Sequence, residues 1–374
     1  MDRREMADIL EEHLHNVNVY FDREEKFPKG RGPLKTYIVE AHRPDGNSLD
    51  HGDAAATLVG IAKDGGFDVR ETRDETLFQL TKGEVGFFFD LLDPRFWIVH
   101  TMSLIEDCEE LINGFVEVYP YLDYAWPPSD LMRSIQGDGK PLGFAVDFDE
   151  TELLADPEPE KRLIDEPNAV VKFRFGGTRA EAWLSELERF APDALAFSMV
   201  KFAHEDQSTR SYIIDELNER GRFKAAGNSF NLHIQTVSRF LHSYRSFILE
   251  IEDVARIRSS GKGEGGGLLQ GDPLVLEFPK PLRNFSGFVR ELVSCRAPLK
   301  IWGIVDQVRS NFVQIEAVDL HTSSRLRLDL TPEYVRIYLG PEACGNTVAR
   351  LLRNLQSHVD STIRLNIPSE SVSA

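Results

Sequence analysis

The pattern that decides the fold most directly is the strict alternation in Arg325-Leu326-Arg327-Leu328-Asp329-Leu330. Successive side chains of a β-strand point to opposite faces, so the three leucines are expected to face a core and the charged residues to face away from it. Strand-like runs flank this segment at residues 312–320 and 334–339. Strands that follow one another this closely usually pair as antiparallel neighbours. We therefore predict an antiparallel sheet near the C-terminal end of the chain.

The elements around this sheet follow an order that occurs twice, β-α-β-β-(β-β)-α, which is typical of an antiparallel sheet with helices on one face. The second block covers residues 272–374, with predicted strands at 274–278, 299–305, 312–320, 325–330, 334–339 and 362–367 and helices at 285–294 and 347–358. The first block covers residues 160–259, with strands at 169–175, 194–202 and 211–217 and helices at 179–190 and 232–251. We detect no residue-level identity between the two blocks.

Residues 1–150 read as a separate domain in which a helix, an antiparallel meander and a second helix follow one another. The predicted strands lie at 36–41, 68–72, 77–80, 85–91, 96–101 and 143–148, and the helices at 6–20 and 104–118. Residues 149–167 are acidic and contain three prolines, and residues 259–272 are rich in Gly and Ser, so both read as linkers. We predict an α+β protein with domains 1–150, 160–259 and 272–374.

The net charge of −18 is concentrated in the first of these domains. Residues 1–150 hold 31 Asp and Glu against 15 Lys and Arg, residues 151–260 hold 18 against 15, and residues 261–374 hold 12 against 13. Contacts with phosphates require Lys and Arg, so the acidic domain argues against a nucleic-acid partner for the whole chain. Nucleic acid stays open as a partner only for residues 160–374, and the acidic domain reads as protein-facing or solubilising.

The composition also predicts the cellular compartment of the protein and whether it holds a cofactor. No apolar run approaches the ~18 residues of a membrane span, and the charged N-terminus does not resemble a signal peptide. The three cysteines, Cys108, Cys295 and Cys344, are far apart in the sequence, which fits free thiols in a reducing cytoplasm. Neither Cys nor His forms a local cluster with zinc-ligand spacing. We expect a cytoplasmic protein without a membrane contact, a metal or another cofactor.

One candidate interaction surface is the polar face of the predicted C-terminal sheet. Alternation places Arg325 and Arg327 on this face, and we expect Lys300, Trp302 and Arg336 to join them. A sheet face with arginines and aromatic rings suits either an acidic protein surface or a nucleic-acid backbone. The alternative is a solvated face with ion pairs across the strands.

A second candidate is the predicted turn 220–224, where Arg220, Arg222 and Lys224 place three cations within five residues. It precedes a predicted helix, and a turn of this kind can bind phosphate at a helix N-terminus. The alternative is an ordinary exposed turn.

A third candidate is the aromatic and proline-rich segment 119–128. Its residues Tyr121, Tyr124 and Trp126 could form a rigid docking surface, because Tyr and Trp often anchor interfaces. The alternative is a loop folded onto its own domain.

The sharpest match to chemistry is Phe144-Ala145-Val146-Asp147-Phe148-Asp149-Glu150-Thr151. An apolar strand that ends in Asp-x-Asp-x-Thr resembles the first motif of the haloacid-dehalogenase phosphotransferases. The resemblance implies that Asp147 acts as a nucleophile and Asp149 as a general acid–base near Mg²⁺. The resemblance also implies a parallel sheet, whereas we predict antiparallel elements here. It further implies an acidic pair after a later apolar strand, and the sequence has no such pair. The alternative is a strand that runs into an acidic linker.

No complete catalytic set accompanies these candidates. We therefore expect a non-catalytic interaction subunit or scaffold of a cytoplasmic multi-protein assembly rather than an enzyme. Two alternatives remain open. One is nucleic-acid binding by the C-terminal sheet face and the 220–224 turn, and the other is Mg²⁺-dependent phosphate hydrolysis at Asp147 and Asp149.

Overall fold

The computed structural model describes residues 1–22, 31–43, 47–137, 139–150, 170–260 and 268–368. Within them, eight α-helices accompany two large antiparallel sheets of eleven and six strands. The predicted α+β class is therefore confirmed. Residues 151–167 and 261–267 of the two predicted linkers lie outside the described residues. None of the described helices combines the length and the apolar character needed to cross a membrane.

The N-terminal part of the chain contains four helices and seven strands. The helices are α1 Arg3–Asp22, α2 His51–Asp64, α3 Ile105–Val118 and α4 Ser129–Ser134. The strands are β1 Arg31–Ala41, β2 Asp68–Glu71, β3 Leu77–Lys82, β4 Val85–Asp90, β5 Phe96–Ser103, β6 Leu122–Tyr124 and β7 Lys140–Asp149. Helix α2 was not predicted, because Asp50 reads as a turn residue. In the structure, Asp50 caps the helix by accepting a hydrogen bond from the Asp53 amide at 2.8 Å.

The middle part adds two helices and continues the first sheet. Its elements are β8 Val170–Gly176, α5 Ala180–Phe190, β9 Phe197–Asp206, β10 Ser211–Asn218, β11 Arg222–Gly227, α6 Phe230–Ala255 and β12 Arg258–Ser260. The strand order of the first sheet is β2-β3-β4-β5-β1-β11-β10-β9-β7-β8, with β6 also paired to β1. The sheet thus takes strands from both of the first two predicted domains, 1–150 and 160–259, and the pairing of β1 with β11 joins them.

The central strand β1 is covered by helices on both faces. Two successive residues show this: the Thr36 hydroxyl lies 2.7 Å from His233 on α6, whereas the Tyr37 hydroxyl lies 3.2 Å from Cys108 on α3. Most of β1 is buried, including the polar residues Lys35 and Glu40. Polar groups in such a position need partners within the protein, so β1 is a place to look for a site.

The C-terminal part matches its predicted order of elements. It contains β13 Leu268–Gln270, β14 Leu274–Glu277, α7 Phe285–Leu292, β15 Ile301–Arg309, β16 Phe312–Asp319, β17 Arg325–Leu330, β18 Tyr334–Leu339, α8 Gly345–His358 and β19 Leu365–Asn366. The order of the second sheet is β15-β16-β17-β18-β14-β19. As predicted, Leu326, Leu328 and Leu330 face the core, where they join residues such as Phe288 of α7 and Leu352 of α8.

Two helices connect the two cores. Helix α6 contributes Tyr244 and Ile248 to the first core and Ile251 to the second. Helix α8 starts against α6 at Gly345, where a Cβ would lie 2.7 Å from the Ile248 carbonyl oxygen. A glycine is therefore required for this close approach. The N-terminus of α8 is thereby held close to the first sheet.

Candidate functional site

The predicted polar face of the second sheet exists, and its charges are paired across the strands. The register aligns Glu316, Arg327 and Tyr338 on three neighbouring strands. Arg327 Nε lies 3.4 Å from an Asp329 carboxylate oxygen and 4.0 Å from Glu316. The Tyr338 hydroxyl donates to Asp329 at 3.2 Å. The face therefore carries one cross-strand ion pair, Arg327–Glu316, of the kind that the alternative interpretation expects.

A shallow groove of about 430 Å³ runs along this face, lined by Arg325, Arg327, Glu316 and Tyr338 among others. Arg336 lies on the same face at the next register position, and its guanidinium stacks 5.3 Å from the centre of the Tyr334 ring. Lys300 does not join this face. It precedes β15, and its ammonium donates to the Val116 carbonyl of α3 at 3.3 Å.

Among the residues that the structure describes, strand β15 forms an open edge of the second sheet. It pairs with β16 on one side, and on its other side a single bridge joins Trp302 to Ser294. Large apolar side chains on this strand are exposed, with Ile304 64%, Val305 42% and Val308 47% accessible. Trp302, which was predicted to bind a partner, is 46% accessible. Exposed apolar residues on an open edge strand are unusual in a monomer, because they invite pairing with another chain.

The predicted cationic turn is largely a strand. Arg222 and Lys224 belong to β11, and Arg222 is mostly buried in an ion pair with Glu109 of α3. Arg220 alone lies in the preceding turn, where its guanidinium stacks 5.4 Å from the Tyr124 ring centre. The three cations therefore do not form one exposed patch, which corrects the prediction of a phosphate-binding turn.

The predicted aromatic docking surface lies in the core. Tyr124 and Trp126 are both buried, and their rings pack edge to face with centroids 5.9 Å apart. The Trp126 indole donates to Asp123 at 3.0 Å, so its polar atom is also satisfied internally. Tyr121 is half-buried and packs against Tyr119. The segment is folded onto its own domain, which corrects the docking prediction for Tyr124 and Trp126.

Asp147 and Asp149 line a polar pocket of about 350 Å³ together with Lys172, Ser198 and Arg353. Lys172 Nζ lies 3.5 Å from the Asp147 carboxylate, and both side chains are at least half exposed. Burial lowers the pKa of Arg353 to about 10. The strand β7 that carries both aspartates is antiparallel to each of its neighbours, β8 and β9. The parallel sheet that the haloacid-dehalogenase resemblance implies is therefore not found here.

A different group of side chains converges in the interior, and the sequence did not suggest it. Glu40 lies near the end of β1, His42 just after it, His321 in the connection after β16, and Cys344 caps the N-terminus of α8. All four are buried, and their ligand atoms lie within 4.8 Å of one another. The Glu40 carboxylate lies 3.3 Å from His42 Nε2, 3.4 Å from His321 Nε2 and 3.2 Å from Cys344 Sγ. We call these four residues the Glu40 cluster.

The electrostatic setting of the Glu40 cluster is dominated by Arg95. Its guanidinium contacts Glu40 at 2.6 Å and also pairs with Glu252 of α6. Burial opposes ionisation of Glu40, but the charge of Arg95 together with the contacts to His321 and His42 outweighs it and holds the Glu40 pKa well below its usual range. Burial and the nearby Glu40 carboxylate raise the pKa of the Cys344 thiol well above its usual value.

This cluster was hard to predict from the sequence because its members come from three separate segments. The only local signal is the pair Glu40-x-His42, and Cys344 lies 304 residues from Glu40. Within the described residues, no group that includes Asp147 or Asp149 brings at least three ligand atoms together in this way.

Comparison with known proteins supports a family and leaves the chemistry open. The chain belongs to the MJECL33-like protein family, whose model matches residues 1–373. It is similar to the uncharacterized protein MJECL33 of Methanocaldococcus jannaschii, with 25% identity over 401 residues. The match covers 98% of this chain and 94% of that protein.

Proposed function

We propose that the protein is a non-catalytic interaction protein and that it binds its partner through the open edge of the second sheet. The observation that supports this proposal is the exposure of Ile304, Val305 and Val308 on β15. An edge strand offers unpaired amide and carbonyl groups, and a partner strand can satisfy them by strand addition. The apolar side chains on both faces of β15 would then be covered by the side chains of the added strand.

The occupant we propose is the same edge of a second copy of this chain. The edge is open from Gly303, after the bridge at Trp302, to Gln307, where an irregularity in the pairing with β16 begins. This stretch is centred on Val305. Antiparallel pairing about a two-fold axis at Val305 places this residue against itself and brings Trp302 of one copy toward Val308 of the other. The interface is therefore self-complementary, with Val305 at its centre and Ile304 of each copy opposite Asp306 of the other.

The charge distribution favours a protein partner over nucleic acid. Binding to a phosphate backbone requires cations that are not already neutralised. On the outer face of the second sheet, Arg327 is paired with Asp329 and lies close to Glu316. Arg222, on the other sheet, is paired with Glu109. Two of the arginines that were predicted to contact phosphates are thus already neutralised by carboxylates.

The proposal is tested by the oligomeric state of the full chain, measured by sedimentation velocity over a series of dilutions. We expect a dimer that dissociates on dilution, and a monomer for Val305→Lys, because the ammonium groups of the two copies would then meet at the two-fold axis. Val118→Lys is the matched control. Val118 is 68% accessible at the end of α3, far from β15 in the sequence, and its replacement should leave the dimer intact.

Two outcomes would overturn the proposal. The first is a wild-type chain that stays monomeric at every concentration, and the second is equal dissociation of the Val305→Lys and Val118→Lys variants. A gel-shift experiment with duplex DNA and with RNA should show no band shift. A shift that weakens steeply with salt would instead favour the nucleic-acid alternative.

A further inference from the structure

We propose that Glu40, His42, His321 and Cys344 bind one Zn²⁺ ion, and that this ion fastens the second sheet and α8 to the central strand of the first. Two nitrogens, one carboxylate and one thiolate are a donor set that zinc binds in proteins. The proposal is independent of the dimer proposed above, because β15 contributes none of the four residues.

The separations between the Glu40 carboxylate and the other three ligand atoms are close to the edges of a zinc tetrahedron. Zn–N and Zn–O bonds of about 2.1 Å give an N···O edge of about 3.4 Å, and a Zn–S bond of about 2.3 Å gives an S···O edge of about 3.6 Å. The observed N···O distances to Glu40 are 3.3 Å for His42 and 3.4 Å for His321. The thiol of Cys344 lies 3.2 and 3.4 Å from the two carboxylate oxygens. All of these values lie within a few tenths of an ångström of the expected edges.

The histidine nitrogens supply an independent observation. His42 is 2% exposed and His321 is 1% exposed, yet Nε2 of each ring makes no hydrogen bond. Buried polar atoms are normally hydrogen-bonded, so two such atoms within 4.8 Å of each other call for a ligand. A metal ion between them would bond to both nitrogen lone pairs.

The other nitrogen of His321 is held as metal-binding histidines usually are. His321 Nδ1 lies 2.7 Å from the Pro120 carbonyl oxygen, to which it must donate. This bond places the proton on Nδ1 and leaves the lone pair of Nε2 facing the cluster. A carbonyl or carboxylate partner of this kind both orients the ring and fixes its tautomer.

Arg95 completes the surroundings of the site. Its Nη2 lies 3.3 Å from Cys344 Sγ, so it can donate a hydrogen bond to a metal-bound thiolate. It also contacts Glu40, and its own charge is balanced by Glu252. Arg95 therefore stabilises the two anionic ligands from outside the coordination sphere.

The site is closed, which assigns the ion a structural role. All four ligands are buried, and four protein donors fill the coordination sphere of zinc, so no position remains for a substrate. Glu40 and His42 belong to the first sheet, and His321 and Cys344 to the C-terminal part. The ion would close a loop of about 300 residues, and its binding energy would contribute to folding.

The experiment uses the full chain, purified without affinity metals, unfolded with a chelator and refolded with either Zn²⁺ or Co²⁺. Elemental analysis after dialysis should find one Zn²⁺ per chain. The Co²⁺ form should show the intense visible bands of a tetrahedral site and a thiolate-to-cobalt charge-transfer band. Cys344→Ser should remove the charge-transfer band, whereas Cys108→Ser, which alters a buried cysteine outside the cluster, should retain it.

Removal of the metal should lower the thermal midpoint of the wild type and of Cys108→Ser, but not that of Cys344→Ser. If the wild type refolds without stoichiometric zinc, the proposal is overturned, and the cluster is an ion-pair network around Glu40. A charge-transfer band that survives in Cys344→Ser would also overturn it. If Cys344→Ser fails to fold, the zinc content of the wild type and the spectrum of His42→Gln decide the question.

Discussion

Replacement of Arg350 by methionine should destabilise the fold severely. Arg350 belongs to α8 and is completely buried. Its guanidinium forms ion pairs with Asp123, on β6 of the first sheet, and with Asp319, at the end of β16. Its Nε also donates to the Leu299 carbonyl at 3.1 Å. One side chain therefore joins the first sheet, the second sheet and α8.

The expected decrease in the free energy of unfolding follows from the buried carboxylates that would lose their cation in Arg350→Met. Removal of one partner from a buried ion pair costs about 3–5 kcal/mol, mainly because the remaining charge stays buried and unpaired. Here two carboxylates, Asp123 and Asp319, would lose their cation, which places the estimate at the upper end of that range. Arg327→Met is the matched control. The Arg327 side chain is 44% exposed, and surface ion pairs contribute about 0–1 kcal/mol.

The assay is urea unfolding at neutral pH, followed by circular dichroism, for the wild type and both variants. The free energy of unfolding should fall by several kcal/mol in Arg350→Met and by less than about 1 kcal/mol in Arg327→Met. The difference between wild type and Arg350→Met should shrink as the pH decreases, since Arg350 lowers the pKa of Asp123 and protonation removes the unpaired charge. Equal losses in the two variants would refute the reasoning.

Two further predictions concern buried titratable groups. Burial lowers the pKa of His100 from 6.5 to about 3, so the folded chain binds fewer protons than the unfolded chain in this window. Stability should fall as the pH decreases from about 6.5 toward 3, and His100→Asn should flatten that slope in urea titrations at several pH values; an unchanged slope would contradict this. Cys295 is exposed whereas Cys108 and Cys344 are buried, so a thiol reagent should label one cysteine in the folded chain and three after unfolding. Rapid labelling of all three in the folded chain would contradict the described burial.

The C-terminal sheet was predictable because its information is local. In β17 the alternation of leucines with charged residues predicts one buried and one exposed face, and in the structure the three leucines are buried and Arg325 and Arg327 are exposed, whereas Asp329 is also buried. The paired charges on the exposed face are also local, because antiparallel neighbours only a few residues apart bring Glu316 and Arg327 together. Where a sheet has one buried and one exposed face, the alternation in the sequence predicts its strands and the face that each turns to the core.

Other elements were missed because tertiary contacts outweigh local composition. Residues 220–224 contain three cations, which suggested a turn. Arg222, however, begins a strand, because the first sheet pairs it with Tyr37 of β1 and Glu109 neutralises its charge. Likewise, aromatic content at Tyr124 and Trp126 did not distinguish a docking surface from a core. Only the structure shows that their polar atoms are satisfied internally.

The candidate metal site lies on a strand whose burial pattern departs from the alternation seen in β17. Strand β1 carries Thr36 and Glu40 at buried positions, which costs free energy unless each has a partner. Both partners come from distant segments: Thr36 contacts His100 and His233, and Glu40 contacts Arg95 and the three other members of its cluster. A polar residue in a strand that is covered on both faces therefore needs a hydrogen-bonding or ionic partner from another segment of the chain. For Thr36 neighbouring side chains do so, whereas at Glu40 the two free histidine nitrogens leave a place for an ion.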